Sequence, residues 1–464
     1  MTTATLPAET TTETLFSQGR LGACIGAVAL VSLLAFEAMA VAAAMPAIAA
    51  ALHGLGLYAL AFGGMLATSM LGMVLAGRSS DRHGAFRATV VGLVVFSAGL
   101  LLAGWADSMG WVVAGRTLQG LGGGMLAVTL YVGMGQAVPQ RLHPRLFALF
   151  AAAWVLPGLL GPLAAAWLVE QLGWRAVFLV VAAAAPLAAA LVLPALRRLP
   201  PPARSGASLG EGSSQCAGRP AAAIAWAALG AAGALLLHAA GTAATATRLL
   251  PLLLLGLLAA GTAASKLLPR GSLLAAPGLP AVVALRGLLA AAFASAEVFI
   301  PLYLTREAGW SLGQAGLTLS AGALLWSGGS AVQARIEGTR DRRRALQAGF
   351  LAVATGISLV AAPLLTAWPA ALVVAGWALA GFGIGISFPM LSVLTLQLSA
   401  PGEQGASASA LQLSDALSCS ATLAVAGALF STAGDGAALG YLLVLGLAAA
   451  LAAAGALLGR RAFV

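Results

Sequence analysis

The chain has 464 residues, of which 60% are hydrophobic and 8% charged, where an average soluble domain carries roughly 25% charged residues. Its 24 basic and 14 acidic side chains are too few to coat a water-soluble molecule of this length, so the bilayer is the solvent. The net charge of +10 does not indicate nucleic-acid binding, because the arginines lie between apolar segments and form no single basic face.

Residues 1–20 contain Glu9 and Glu13 and no apolar core, and read as a cytosolic tail. About 20 apolar residues span a ~30 Å hydrocarbon core, so cutting at charges, prolines and polar clusters gives the spans. They are 21–50, 57–76, 88–106, 110–138, 146–169, 175–195, 221–240, 249–266, 278–304, 312–334, 345–366, 369–398, 404–432 and 437–458. Residues 21–195 form a first group of six. Leu196–Pro220, rich in Pro, Gly, Ser and Arg, reads as a cytosolic linker. An extra helical hairpin and its connection fill 221–277, and 278–464 holds six more spans and a short tail. The fold expected is all-α and integral to the membrane: two six-helix halves related by a pseudo-two-fold, plus an inserted hairpin.

Basic residues crowd the even-numbered gaps and the C-terminus: Arg78, Arg82 and Arg87; Arg141 and Arg145; Arg197, Arg198, Arg204 and Arg219; Lys266 and Arg270; Arg335, Arg340 and Arg342–Arg344; Arg460 and Arg461. The positive-inside rule then puts both termini in the cytosol of a multi-pass protein of the cell inner (plasma) membrane. Cys24, Cys216 and Cys419 have no metal-type spacing, and the absence of asparagine excludes N-glycosylation.

The fourth span carries the sharpest polar signal. Trp111–Gly124, WVVAGRTLQGLGGG, places Arg116 and Gln119 in an apolar run followed by Gly120, Gly122, Gly123 and Gly124. An unpaired guanidinium in hydrocarbon costs at least ~2.5 kcal/mol, so Arg116 needs a partner. Only three acids lie inside spans: Glu37 in the first, Glu297 in the ninth and Asp415 in the thirteenth. Glu37 is the one in the same half, and it is expected to face Arg116 across a central cavity, directly or through Gln119 or water; the competing reading is that each faces a water-filled cavity alone. Membrane carboxylates are functional candidates, so Glu37, Asp415, Glu297 and Arg116 are the expected proton-coupling residues, and together with Gln119 they line the expected substrate cavity. The competing role for Asp415 is a polar contact with Ser409, Ser414 or Ser418, and for Glu297 a gate contact beside Pro301. Arg286, early in the ninth span, is expected to snorkel to the cytosolic interface. His238 is expected at an outer helix end with no role. Pro157, Gly161 and Pro162 in the fifth span mark a point of close helix approach and lost backbone donors.

These stretches resemble the major facilitator superfamily, and within it the fourteen-span proton-coupled drug exporters. Gly77–Arg87, GRSSDRHGAFR, is similar to the cytosolic motif GxLaDrxGrkxxl at Gly77, Asp81, Arg82 and Gly84. Arg116, Gln119, Gly120 and Gly122 match lxxxRxxqGxgaa. Gly161 and Pro162 match gxxxGPxxGG, with Pro157 in place of its first glycine. Gly173–Phe178 resembles GWRwiF, and Glu37, nine residues before Pro46, resembles the acid of lDxtivnvALP. The resemblance implies that Asp81 caps a helix end and pairs with nearby arginines. It also implies proton-coupled efflux of a hydrophobic or amphipathic compound by alternating access, from a monomer in the lipid bilayer, with the proton gradient as driving force and no cofactor. A lipid or lipid-precursor translocase of the same fold is the first alternative and a proton-solute symporter the second. An enzyme is not expected, because HExxH, GxSxG and paired His and Asp clusters are missing.

Overall fold

The computed structural model describes residues 21–139, 142–199, 220–241, 246–336, 338–366, 368–369, 371–400, 403–433 and 438–463. The N-terminal tail, most of the linker with Cys216, and Arg141, Arg204 and Arg219 lie outside the described residues. Those described form fourteen α-helices and no strand: α1 Leu21–Ala51, α2 Tyr58–His83, α3 Ala85–Gly104, α4 Met109–Ala137, α5 His143–Leu172, α6 Arg175–Arg197, α7 Pro220–Gly241, α8 Ala246–Leu267, α9 Leu279–Arg306, α10 Leu312–Gln333, α11 Thr339–Leu365, α12 Ala371–Leu398, α13 Gln404–Thr432 and α14 Ala438–Leu458. Twelve are long and apolar enough to cross a membrane on their own composition. The other two, α4 and α10, are long enough but diluted by glycine and polar residues, and each is packed between neighbouring helices.

Both halves are built on one packing rule. In the first, α4 lies against α2 and α3, and α1 against α5 and α6. In the second, α12 lies against α10 and α11, and α9 against α13 and α14. Without a hydrophobic drive between helices in lipid, small residues that admit a neighbouring backbone supply the packing. A Cβ on Gly120 or Gly124 of α4 would collide with the carbonyls of Met65 or Ser69 in α2, and a Cβ on Gly381 or Gly385 of α12 with those of Gly322 or Trp326 in α10. Gly99 would meet Gly115 and Gln119 of α4, as Gly356 meets Gly376 and Ala380 of α12. The register therefore pairs Gly115, Gly120, Gly122 and Gly124 with Gly376, Gly381, Gly383 and Gly385. It sets Trp377 where α4 has Arg116, and Ala380 where it has Gln119.

The short connections repeat too. Gly84, between α2 and α3, has φ +82°, and Gly338, before α11, has φ +84°, a conformation that side chains with a Cβ rarely adopt. Both connections lie at the arginine-rich end of the bundle, the end that carries Arg78, Arg82, Arg335 and Arg342–Arg344.

At the opposite, arginine-poor end the halves are tied together. Tyr58 of α2 donates to the Val298 carbonyl of α9 at 2.8 Å. An aromatic chain runs from Tyr58 through Phe299 and Phe430 to Tyr441, with centroids 5.0–5.7 Å apart. Ser320 of α10 donates to the Leu159 carbonyl of α5 at 2.6 Å, and a Cβ on Gly316 would lie 2.9 Å from the Pro162 carbonyl oxygen. Gly161 and Pro162 thus sit at the junction of α5 with α1 and with the other half, where a Cβ on Gly161 would lie 3.2 Å from Met39.

Candidate functional site

In the first half, α1 and α4 bring Glu37, Arg116 and Gln119 together. Arg116 Nη1 is hydrogen-bonded to Glu37 Oε1, to which Gln119 Nε2 also donates at 3.3 Å. Arg116 reaches the Gln119 side-chain oxygen at 3.3 Å and the Ala61 carbonyl of α2 at 3.4 Å. The guanidinium thus has its partner, and the triad is dry: Glu37 is 1%, Arg116 2% and Gln119 0% exposed. These three do not face each other across an open cavity; they fill the interior of the first half. Glycines make this possible, since close approach of α4 to α2 and α3 leaves no room for water beside the guanidinium. Glu37 Oε2 has no hydrogen-bond partner.

In the second half the ion pair lies elsewhere. Arg286 of α9 does not snorkel: Nε sits 3.0 Å from both carboxylate oxygens of Asp415 in α13. Its Nη1 donates to the Phe388 carbonyl at 3.1 Å and to Ser392 Oγ at 2.9 Å, and the guanidinium lies 3.1 Å from the Phe388 ring centroid. Snorkelling needs a helix that faces lipid near the interface, whereas α9 is walled in by α10, α12, α13 and α14 and most of its residues are buried. Asp415 therefore engages Arg286, not Ser409, Ser414 or Ser418; Ser414 donates instead to the Val283 carbonyl at 2.8 Å. Asp415 keeps 18% of its side chain exposed.

Glu297 lies on α9 three turns beyond Arg286, is partly exposed, and has no hydrogen bond or ion pair among the described residues. One turn before it, Phe293 stacks on Trp377 with centroids 4.3 Å apart, and Trp326 meets both Phe293 and Phe388 edge-on at 5.4 Å. The wall along α9 thus runs from an ion pair through an aromatic shelf to a carboxylate without a cation. Sequence reading missed the shelf and Arg286; their signal was the α9 spacing of 286, 293 and 297, which returns to one helical face.

Asp81 neither caps α3 nor pairs with an arginine among the described residues. It sits exposed in the last turn of α2, and α3 begins at Gly84 with no side-chain cap. Gly77 and Arg82 lie in the same closing turns, where a Cβ on Gly77 would meet nothing within 4 Å. Pro157 lies buried within α5, one turn before Gly161. Arg175 clips the α3–α4 connection by donating to the Ala106 carbonyl at 2.8 Å while covering Trp174. Among the described residues no three His, Cys, Asp or Glu side chains gather as a metal site.

Two six-helix halves that meet at one end, with a charged pair buried in each and an inserted hairpin alongside, define a secondary membrane transporter, in which the moving parts are whole helical bundles. The family model for the Major Facilitator Superfamily matches residues 27–423, and the chain belongs to that family of transporters, which are not enzymes. A Mycobacterium tuberculosis protein named "Probable multidrug-efflux transporter" is 30% identical over 390 residues, 79% of this chain and 79% of its own length. Multidrug transporter protein MdtP of Bacillus subtilis is 31% identical over 144 residues, 31% of this chain and 27% of that protein. Among solved structures, the POT family transporter PepTSo superposes with a TM-score of 0.70 at 14% identity, covering 94% of this chain and 97% of that one, a likeness of fold.

Proposed function

We propose that this protein is a proton-coupled antiporter that expels hydrophobic or amphipathic small molecules from the cell. It would work as a monomer in the inner (plasma) membrane, with the arginine-rich end and both termini in the cytosol. The proton gradient is the driving force and no cofactor is required. The names of the relatives support efflux of drugs, and the arrangement around Glu37 supports the proton.

The observation that carries this reading is the one-sided bonding of Glu37. Arg116 and Gln119 both engage Oε1, and Oε2 stands buried with no donor. A proton arriving on Oε2 neutralises the carboxylate without a clash with an existing hydrogen bond. Arg116 then loses its counter-ion and keeps only neutral acceptors, the Glu37 Oε1 carbonyl, Gln119 and the Ala61 carbonyl, so the contact between α1 and α4 weakens. A buried ion pair stripped of one charge is strongly disfavoured, and the conformer that rehydrates the arginine gains by comparison. Substrate release is thereby linked to proton entry. In the second half, the half-buried Trp326 beside Phe293 offers aromatic surface, and Glu297 offers a charge for a cationic group.

The test is transport in proteoliposomes with an imposed pH gradient and a panel of cationic, neutral and lipid substrates. Gradient-driven movement of cationic or neutral amphiphiles, lost in Glu37→Gln, is the expected result. Transport by Glu37→Gln with the parent's pH dependence would overturn the proton role, and movement of lipid alone would favour a lipid translocase.

A further inference from the structure

The inserted hairpin is not a bystander at the edge of the bundle. Its first helix, α7, packs against α2 of the first half and α13 of the second. The contact runs over most of α7. A Cβ on Gly230 would lie 2.8 Å from Met70 of α2 and 3.3 Å from Leu417 of α13; near the other end, one on Gly241 would lie 3.1 Å from Ala428 of α13, and Ser431 donates to the Gly241 carbonyl at 3.1 Å. Ala67 and Met70 of α2, Ala227, Ala231 and Ala234 of α7, and Leu411 and Leu417 of α13 form one buried cluster.

His238 is the polar centre of this contact, and it is not an idle residue at a helix end. It is 4% exposed. Its imidazole occupies a notch that exists because residue 63 is glycine: a Cβ there would collide with Nε2, Cε1 and Cδ2 of the ring. The ring also lies beside the backbone of Ser420, and its Nε2 has no hydrogen-bond partner among the described residues. Ser420 in turn donates its hydroxyl to the Gly63 carbonyl at 2.7 Å. One residue of the hairpin therefore touches both halves where α2 and α13 cross.

We propose that α7 is a strap across the seam between the halves and that His238 is a positioning residue, its ring set in the Gly63 notch beside Ser420 to hold the arginine-poor end closed. Alternating access requires α2 and α13 to separate at that end, and separation must draw the ring out of its notch or off Ser420. The proposal rests on the transporter reading for its purpose and on the seam geometry alone for its mechanism.

Spin labels at Gly56→Cys and Thr432→Cys, both exposed at the arginine-poor end, report the seam in purified full-length protein by pulsed electron resonance, with Cys216 replaced by Ser. Loss of the buried ring from its notch in His238→Ala should raise the ratio of open to closed distances roughly 10-fold. Gly63→Ala should do the same by expelling the ring, and the double variant should show no more than either single change, because the new methyl fills the space the ring left. His238→Gln, which retains an N–H donor, should return the ratio toward the parent. Unchanged distances in both single variants, or effects that multiply in the double variant, would overturn the strap. If His238→Ala does not fold, Gly63→Ala and His238→Gln carry the same test. Failure to move any drug would count against the antiport reading and leave the distance result standing on its own.

Discussion

In the first half, the space between the first and fourth helices is held by Glu37, Arg116 and Gln119; in the second, the corresponding space is held by Phe293 stacked on Trp377. The glycines around the two sites keep the same spacing and meet the same neighbours, so backbone geometry is not what separates them. What differs is what each site does with charge. The aromatic pair needs no proton and no counter-ion, whereas the ionic triad is stable only while all its members are present. The second half moves its own ion pair toward the arginine-rich end, to Arg286 and Asp415, where one partner stays partly in contact with solvent. A duplicated scaffold thus holds a dry ionic core in one half and an aromatic pair at the corresponding place in the other.

The comparison breaks most sharply at the triad. Removing Arg116 strands the Glu37 carboxylate, and breaking a buried pair in this way costs about 3–5 kcal/mol. Arg116→Ala should therefore lower the thermal unfolding midpoint in detergent by more than Asp415→Asn, Gly120→Ala or Glu297→Gln. The double variant Glu37→Leu with Arg116→Met imitates the apolar second half, and it should unfold close to the parent temperature while losing pH-driven transport. If the double variant is as unstable as Arg116→Ala, the likeness between the two sites is only topological.

Asp415→Asn should cost less, about 1.5–3 kcal/mol for lost charge-assisted hydrogen bonds, because Arg286 keeps the Phe388 carbonyl, the Ser392 hydroxyl and the ring face. A smaller unfolding shift than that of Arg116→Ala, read under the same conditions, is the check. The scaffold itself is probed by Gly120→Ala and Gly381→Ala. Each would force a methyl against a backbone carbonyl of the neighbouring helix, an overpacking of about 1–3 kcal/mol. Equal losses in the two variants support the shared register, and a large loss in only one removes it.

Much of this organisation was legible in the chain itself. Fourteen helical segments and the hairpin follow from hydropathy and punctuation, and Arg116 called for a carboxylate that only Glu37 could supply within its half. The repeated spacing of Gly120, Gly122 and Gly124 with Gly381, Gly383 and Gly385 was also there to read. The second ion pair was not, because periodicity gives the face a residue occupies but not the helix that face meets. Arg286 and Asp415 are 129 positions apart on helices whose adjacency is a tertiary fact. His238 stayed hidden for the same reason: its role depends on a missing side chain at Gly63, on another helix. Asp81 failed in the opposite direction, since a motif suggested a pairing that the exposed end of α2 does not make among the described residues.

The smallest expected effect on stability belongs to Glu297, and it sharpens the comparison most selectively. Glu37 and Asp415 each face an arginine, so with all groups ionised those two sites are electrically neutral, and Glu297 carries the remaining charge of the three membrane carboxylates. A partly exposed side chain without a partner loses little when neutralised, so Glu297→Gln should unfold within about 0.5 kcal/mol of the parent. Its effect should appear in binding. A monovalent cation seated against Trp326, whose ring meets Phe293 one turn from Glu297, gains attraction from the carboxylate, and losing it should weaken cation affinity about 10-fold, or 1.4 kcal/mol, while a neutral substrate of similar size keeps its affinity. Competition between matched cationic and neutral ligands for the purified protein reads the difference directly. Equal losses for both ligands would mean that Glu297 shapes the wall sterically and that its charge plays no part in choosing the ligand.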